Sequence, residues 1–71
     1  MNTTKHLLRG KPIVFTGARV FAVTANTHDG QTESALIAAD DEQTARTRLM
    51  TIQDTIRLTG QVVNYRTIPI K

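Results

Sequence analysis

Cysteine and tryptophan are absent from this sequence of 71 residues. Without cysteine there is no disulfide framework and no thiolate metal site, and the chain fits a reducing compartment. No apolar run approaches the roughly 20 residues that a membrane-spanning helix needs. We therefore expect a cytoplasmic protein without membrane contact, whose stability comes from packing or from oligomerisation.

Residues suited to catalysis are equally scarce. Histidine occurs only as His6 and His28, and Ser34 is the sole serine. His28 has Asp29 and Asp41 as acidic neighbours in sequence, but their spacing fits no standard metal motif. The four glycines are isolated from one another, so no phosphate-binding glycine loop is present. We expect no enzymatic activity, no cofactor and no metal site.

The formal net charge is +3 and the sequence pI is near 10.0, but the charges are unevenly distributed. Acidic residues concentrate between Asp29 and Glu42, and basic residues dominate on both sides of that stretch. Such a bias is compatible with binding to nucleic acid, and it is equally ordinary for a soluble domain. Charge alone therefore leaves both interpretations open.

The stretch from Asp40 to Gly60 is the only segment with helical periodicity. Its apolar residues recur at helical spacing, which places them in one stripe: Ala45, Leu49, Ile52 and Ile56. Asp40 or Asp41 is placed to cap the start, and with Asp40 as the cap Gln43 takes the capping-box position. Gly60 is placed to end the helix. We predict one amphipathic helix over residues 40–60.

Three other stretches have the composition of strands: Val20–Ala25, Thr32–Ala39 and Gln61–Ile68. Between the first two, the Asp29-Gly30 pair supplies the positive φ of a tight hairpin turn. Pro69 cannot donate to a sheet ladder, so the last strand ends at an edge or beyond the sheet. The order predicts an α+β fold, a small ββαβ unit with a three-stranded, mainly antiparallel sheet. The helix packs on one face, and the strand Val20–Ala25 is central.

Residues 1–12 show no periodicity, and Gly10 and Pro12 prevent a long helix. We predict a flexible basic arm here, followed by a single domain over residues 13–71. Ile13–Phe15, closed by Gly17, is either a short edge strand or the start of a bent longer strand.

Both faces of the predicted sheet carry apolar residues. Phe21 and Val23 point one way, whereas Val20 and Ala22 point the other way. Because one helix covers only one face, the second face needs the N-terminal segment, another copy of the chain or a different partner. We assign Ile37 to this association surface.

A second ridge of the predicted helix lies beside the apolar stripe and carries arginine and methionine, which are enriched at protein interfaces. We predict that this ridge binds a partner: Arg46, Met50, Gln53 and Arg57.

The leading hypothesis is a non-enzymatic binding module that acts through protein contact, as a homodimer or on a larger component. In size and ββαβ pattern the chain resembles small accessory or inhibitor proteins of phages and plasmids, a resemblance of format without a shared motif. The alternative is a basic nucleic-acid-binding module that contacts phosphates through the helix and the N-terminal arm. Its candidate phosphate contacts are Lys5, Arg9, Lys11, Arg46, Arg48 and Arg57.

Overall fold

The computed structural model describes residues 1–70, so that Lys71, the last residue of the predicted domain, lies outside the described residues. Within residues 1–70 the chain forms five strands, one α-helix and one short 3-10 helix. In chain order these are β1 (Asn2–Leu8), β2 (Lys11–Gly17), β3 (Arg19–Thr27), β4 (Thr32–Ala39), α1 (Glu42–Thr51), the 3-10 helix (Gln53–Thr55) and β5 (Val62–Pro69).

The strand β3 is the centre of a three-stranded antiparallel sheet with the order β4-β3-β5. The predicted α+β class and the central position of this strand are therefore confirmed. A tight turn joins β3 to β4, and Gly30 has the positive φ of 90° that the Asp29-Gly30 pair predicts. The strand β5 runs antiparallel to β3 and ends at Pro69, which pairs with Phe21 of β3.

The first two strands form a separate antiparallel hairpin. Its two-residue turn consists of Arg9 and Gly10, with φ of 53° and 79°, as a mirror-image hairpin turn requires. Residues 1–12, predicted as a flexible basic arm, instead form β1, the turn and the start of β2, and β1 already begins at Asn2. The turn signal is weak in the sequence, since an arginine occupies a left-handed position that usually takes asparagine or glycine.

The helix α1 is shorter than predicted. It is capped by Asp41, whose carboxylate accepts a hydrogen bond from the Thr44 amide at 2.8 Å. That bond holds the pKa of Asp41 below its usual value. Asp40 is not the cap, because its carboxylate accepts from the Ala18 amide at 2.8 Å and thereby joins the helix start to the β2–β3 link.

Gly60 does not end the helix either, because α1 stops at Thr51 and Ile52 is its C-cap. The segment that contains Gly60 is held elsewhere, by the side chain of Gln31 next to the β3–β4 turn. The Gln31 carbonyl oxygen accepts from the amides of Thr59 and Gly60, each at 3.1 Å. Residues 56–60 are thus drawn toward the turn instead of continuing the helix.

The apolar stripe of the helix forms the core, as predicted. Ala45, Leu49 and Ile52 are completely buried, and they pack in one cluster with Phe21 and Val23 of β3. Full burial of a leucine or isoleucine side chain contributes about 1.5–3 kcal/mol relative to leaving it in water. The fourth member of the predicted stripe, which lies beyond the 3-10 helix, is partly buried against the same cluster.

The hairpin packs its inner face on this core through Ile13 and Phe15. Arg48 of α1 fixes the arrangement, because its guanidinium donates to the carbonyl oxygens of Thr16 at 2.7 Å and Ala38 at 2.6 Å. The same guanidinium lies 5.2 Å from the ring centroid of Phe15, within range of a cation–π interaction. One side chain therefore connects the helix to both sheets.

Candidate interaction surfaces

The outer face of the three-stranded sheet is turned away from the apolar core against which α1 packs, and we call it the open face. In one row across it, Leu36 of β4 lies opposite Ala22 of β3, which lies opposite Ile68 of β5. Leu36 is 52% exposed and Ile68 is 45% exposed. Ile70, which donates its amide to the carbonyl oxygen of Val20 at 2.8 Å, extends this apolar region and is 53% exposed.

The other half of the open face is polar. Asn26 accepts a hydrogen bond from the Thr32 hydroxyl at 3.1 Å and donates to the side chain of Asn64 at 2.7 Å. Between this row and the apolar row lie Ser34, Thr24 and Arg66. The open face is therefore half apolar and half polar.

Ile37 does not belong to the open face. It is completely buried in the core cluster, so the assignment of Ile37 to an exposed association surface is wrong. Side chains alternate along a strand, and the helix covers the face that carries Phe21, Val23 and Ile37. The neighbouring residue Leu36 is the exposed one. The alternation was visible in the sequence, but the face that the helix takes was not.

The predicted partner-binding ridge is not one continuous helical surface. Arg46 and Met50 lie on α1, with Arg46 half-buried and Met50 49% exposed. Gln53 lies in the 3-10 helix and accepts a hydrogen bond from the Tyr65 hydroxyl at 3.0 Å. Arg57 follows the 3-10 helix and is exposed. Because the α-helix ends before Gln53, the four residues do not share one helix face.

The candidate phosphate contacts are also dispersed. Lys5, Arg9 and Lys11 are exposed on the hairpin, and Arg9 makes an exposed ion pair with Asp54 at 3.4 Å. Arg48 uses its guanidinium within the fold, as described above. The hairpin turn region therefore carries a basic pair, and Lys5 and Arg57 line one groove, whereas Arg46 and Arg48 lie on α1.

The free edge of β4 is closed over half its length by side chains. The Ala38 amide donates to the hydroxyl of Thr4 at 2.9 Å, and the Ala38 carbonyl oxygen accepts a hydrogen bond from Arg48. His6 lies beside the backbone of Leu36, and its Nε2 atom is buried without a hydrogen-bond partner. Burial lowers the pKa of His6, whose ring lies 5.7 Å from the ring of Phe15. The hairpin thus covers this edge with side chains rather than with a further strand.

A groove of about 670 Å³ follows the remaining half of this edge. It is lined by residues 5–7 and Pro12 of the hairpin, by residues 33–35 of β4 and by residues 55–57. Lys5 and Arg57 are the lysine and arginine of this lining. This groove was not predictable from local sequence patterns, because it depends on a hairpin that was not predicted.

Among residues 1–70, no three histidine, aspartate or glutamate side chains come together in a way that would hold a metal ion. The same part of the chain includes no helix long and apolar enough to cross a membrane. No family model matches this sequence, and neither curated proteins nor solved structures give a match.

Proposed function

We propose that this protein is a non-enzymatic binding module that acts through protein contact at its open face. The observation that supports this most directly is the exposure of three large apolar side chains, Leu36, Ile68 and Ile70, on one face of one sheet. Contiguous apolar residues with a polar border mark contact sites on small soluble proteins. The protein works in the cytoplasm, without a cofactor.

The chemistry of the open face favours protein over nucleic acid. Arg66 is the single charged residue among the described side chains of this face, and none of them is aromatic. Contact with phosphates requires several cations, and contact with bases requires exposed rings or polar groups aimed at base edges. A partner that presents an apolar patch with one acidic residue opposite Arg66 complements this face.

A second copy of this chain can also bury the apolar half of the open face. With the Leu36–Ala22–Ile68 row of each copy facing the other, Arg66 lies at the rim, where it stays hydrated. A stable interface buries about 800 Å² on each partner, and the broad side of this plate-like molecule measures 36 × 27 Å. Homodimerisation is therefore the form of protein contact that we propose first.

The test replaces Leu36 by lysine and compares it with the same change at Val14. Both residues are 52% exposed, but Val14 lies on the outer face of the hairpin. Sedimentation equilibrium should show a dimer for the parent protein and for Val14→Lys, and a monomer for Leu36→Lys. A charge buried without a partner in the interface weakens binding, whereas on a free surface it has no effect.

If Leu36→Lys leaves a dimer intact, or if the parent is monomeric at high concentration, self-association through the open face is wrong. Capture of a partner from lysate, with and without nuclease, then decides between another protein and nucleic acid. A partner that is retained after nuclease treatment and lost with Ile68→Lys supports protein contact through the open face. Loss of capture on nuclease treatment contradicts it.

A second candidate function rests on the hairpin. Its turn carries Arg9 and Lys11, with Lys5 exposed on the same ribbon, and the major groove of DNA admits a two-stranded ribbon. Binding through these residues should weaken with salt, and Lys5→Ala or Lys11→Ala should each reduce the salt slope by about one. Affinity that is independent of salt and of both lysines contradicts this candidate.

A further inference from the structure

The edge of β4 is uncovered at Ser34, whereas side chains cover the same edge at Leu36 and Ala38. In β4 the residues Ala38, Leu36 and Ser34 direct their backbone groups away from β3, since every second residue of an edge strand does so. Thr4 and Arg48 form hydrogen bonds with the amide and the carbonyl oxygen of Ala38, and the His6 side chain lies beside the backbone of Leu36. None of these three side chains reaches Ser34, so its amide and carbonyl face the groove.

The groove combines a strand edge with apolar side chains. It is lined by residues 33–35 of β4, by the hairpin and by residues 55–57. Leu7, Pro12 and Ile56 make this lining partly apolar. Alternate side chains of an added strand would meet these apolar walls while its backbone pairs with the edge.

The charges of the groove favour an acidic ligand. Lys5 and Arg57 both line it and both are exposed, whereas Glu33 is the single acidic residue among its lining residues. A carboxylate on the incoming segment gains from both cations. A segment with lysine or arginine at the same place meets like charges.

From these observations we propose that this groove binds an extended acidic peptide, which adds as a short strand to the β4 edge at Ser34. The site adjoins the open face at Ser34 but uses the strand edge rather than that face, and it does not depend on the function proposed above. The bound segment is short, because Thr4 and Arg48 already occupy the backbone groups of Ala38 further along β4. Affinity should accordingly be modest and should come from the backbone pairing and from the two cations together.

The first experiment uses a fluorescently labelled peptide of alternating valine and threonine with a glutamate near each end. Binding is measured by fluorescence anisotropy at low and at physiological salt. A matched peptide with lysine in place of both glutamates should bind at least tenfold more weakly. A third peptide, N-methylated at alternate residues, retains the charges but cannot pair with a strand edge, and it should also lose at least tenfold in affinity.

Charge-reversal variants locate the site. Lys5→Glu and Arg57→Glu should each weaken binding of the acidic peptide severalfold or more. Lys11→Glu and Arg66→Glu make the same change in net charge at exposed positions that do not line the groove, and they should have little effect. Hydrogen exchange at the Ser34 amide should slow on binding, whereas the Ala38 amide, which already has a partner, should change little.

Three results would overturn the proposal. Equal binding of the N-methylated peptide would show that no strand is added. Equal losses in all four charge variants would show that only net charge matters. An unchanged exchange rate at Ser34 under saturating peptide would place the peptide elsewhere. None of these results bears on the dimer test at Leu36, so the two proposals fail independently.

Discussion

Gly17 and Ala39 approach so closely that a Cβ atom on Gly17 would lie 2.3 Å from the carbonyl carbon of Ala39. The contact joins the end of the hairpin to the end of β4, and backbone atoms cannot move aside as a flexible side chain can. Gly17→Ala should therefore destabilise the fold by about 1–3 kcal/mol or more, the range that is typical of overpacking. Chemical denaturation measures the loss, with Thr16→Ala at an exposed position as the control.

The second prediction concerns the core. Leu49 is completely buried, and Leu49→Ala should reduce the free energy of unfolding by about 2–5 kcal/mol, which is enough to unfold a domain of this size. Thr51→Ala on the exposed side of the same helix should be neutral or slightly stabilising, because alanine has the higher helix propensity. An unchanged thermal midpoint for Leu49→Ala would contradict the packing described here.

The third prediction concerns the hairpin turn. Arg9 has a φ of 53°, a conformation that asparagine and glycine adopt more readily than arginine does. Arg9→Asn should raise the free energy of unfolding by about 0.5–1 kcal/mol, on the scale known for matching a residue to its backbone conformation. The lost ion pair with Asp54 is exposed and offsets little of this gain.

The variant Asp54→Asn is the matched control, since it removes the same ion pair and leaves the turn residue in place. Its stability should stay close to that of the parent protein. If Arg9→Asn and Asp54→Asn lower the thermal midpoint equally, the ion pair and not the turn determines the stability of the hairpin.

The fourth prediction concerns pH. Burial lowers the pKa of His6, so the unfolded chain takes up a proton at His6 more readily than the folded chain. Stability is therefore greatest above the ordinary pKa of histidine, near 6.5, and falls as the pH drops below that value. The thermal midpoint should decrease between pH 7.5 and pH 5, and His6→Gln should reduce this decrease. His28→Gln, in the exposed turn, should not change it.

The three strands of the larger sheet and the core helix were predictable because their signals are local. The alternation in Val20–Ala25, the Asp29-Gly30 turn and the stripe around Leu49 each depend on residues close together in sequence. The three-stranded sheet follows from them, since a central apolar strand with two neighbours is the simplest arrangement of that order.

The errors arose where distant residues compete for the same groups. Asp40 is of a residue type that caps helices, but its carboxylate accepts a hydrogen bond from the Ala18 amide instead. Gly60 has the residue type of a helix end, but α1 ends at Thr51, and Gln31 accepts hydrogen bonds from the amides of Thr59 and Gly60. Local sequence does not show such long-range bonds. The predicted partner-binding ridge required a longer helix, so it is not one continuous surface in the structure.

The position of β5 has a consequence for the order in which the chain folds. The β1–β2 and β3–β4 hairpins each join neighbouring segments, and such hairpins form within about 1–10 μs. The strand β5, in contrast, reaches β3 only after all of β4 and α1 have been bridged, which costs more loop-closure entropy. We expect β5 to join last. Until it does, the central strand has a bare edge, and in this brief interval the chain is most exposed to pairing with the wrong molecule.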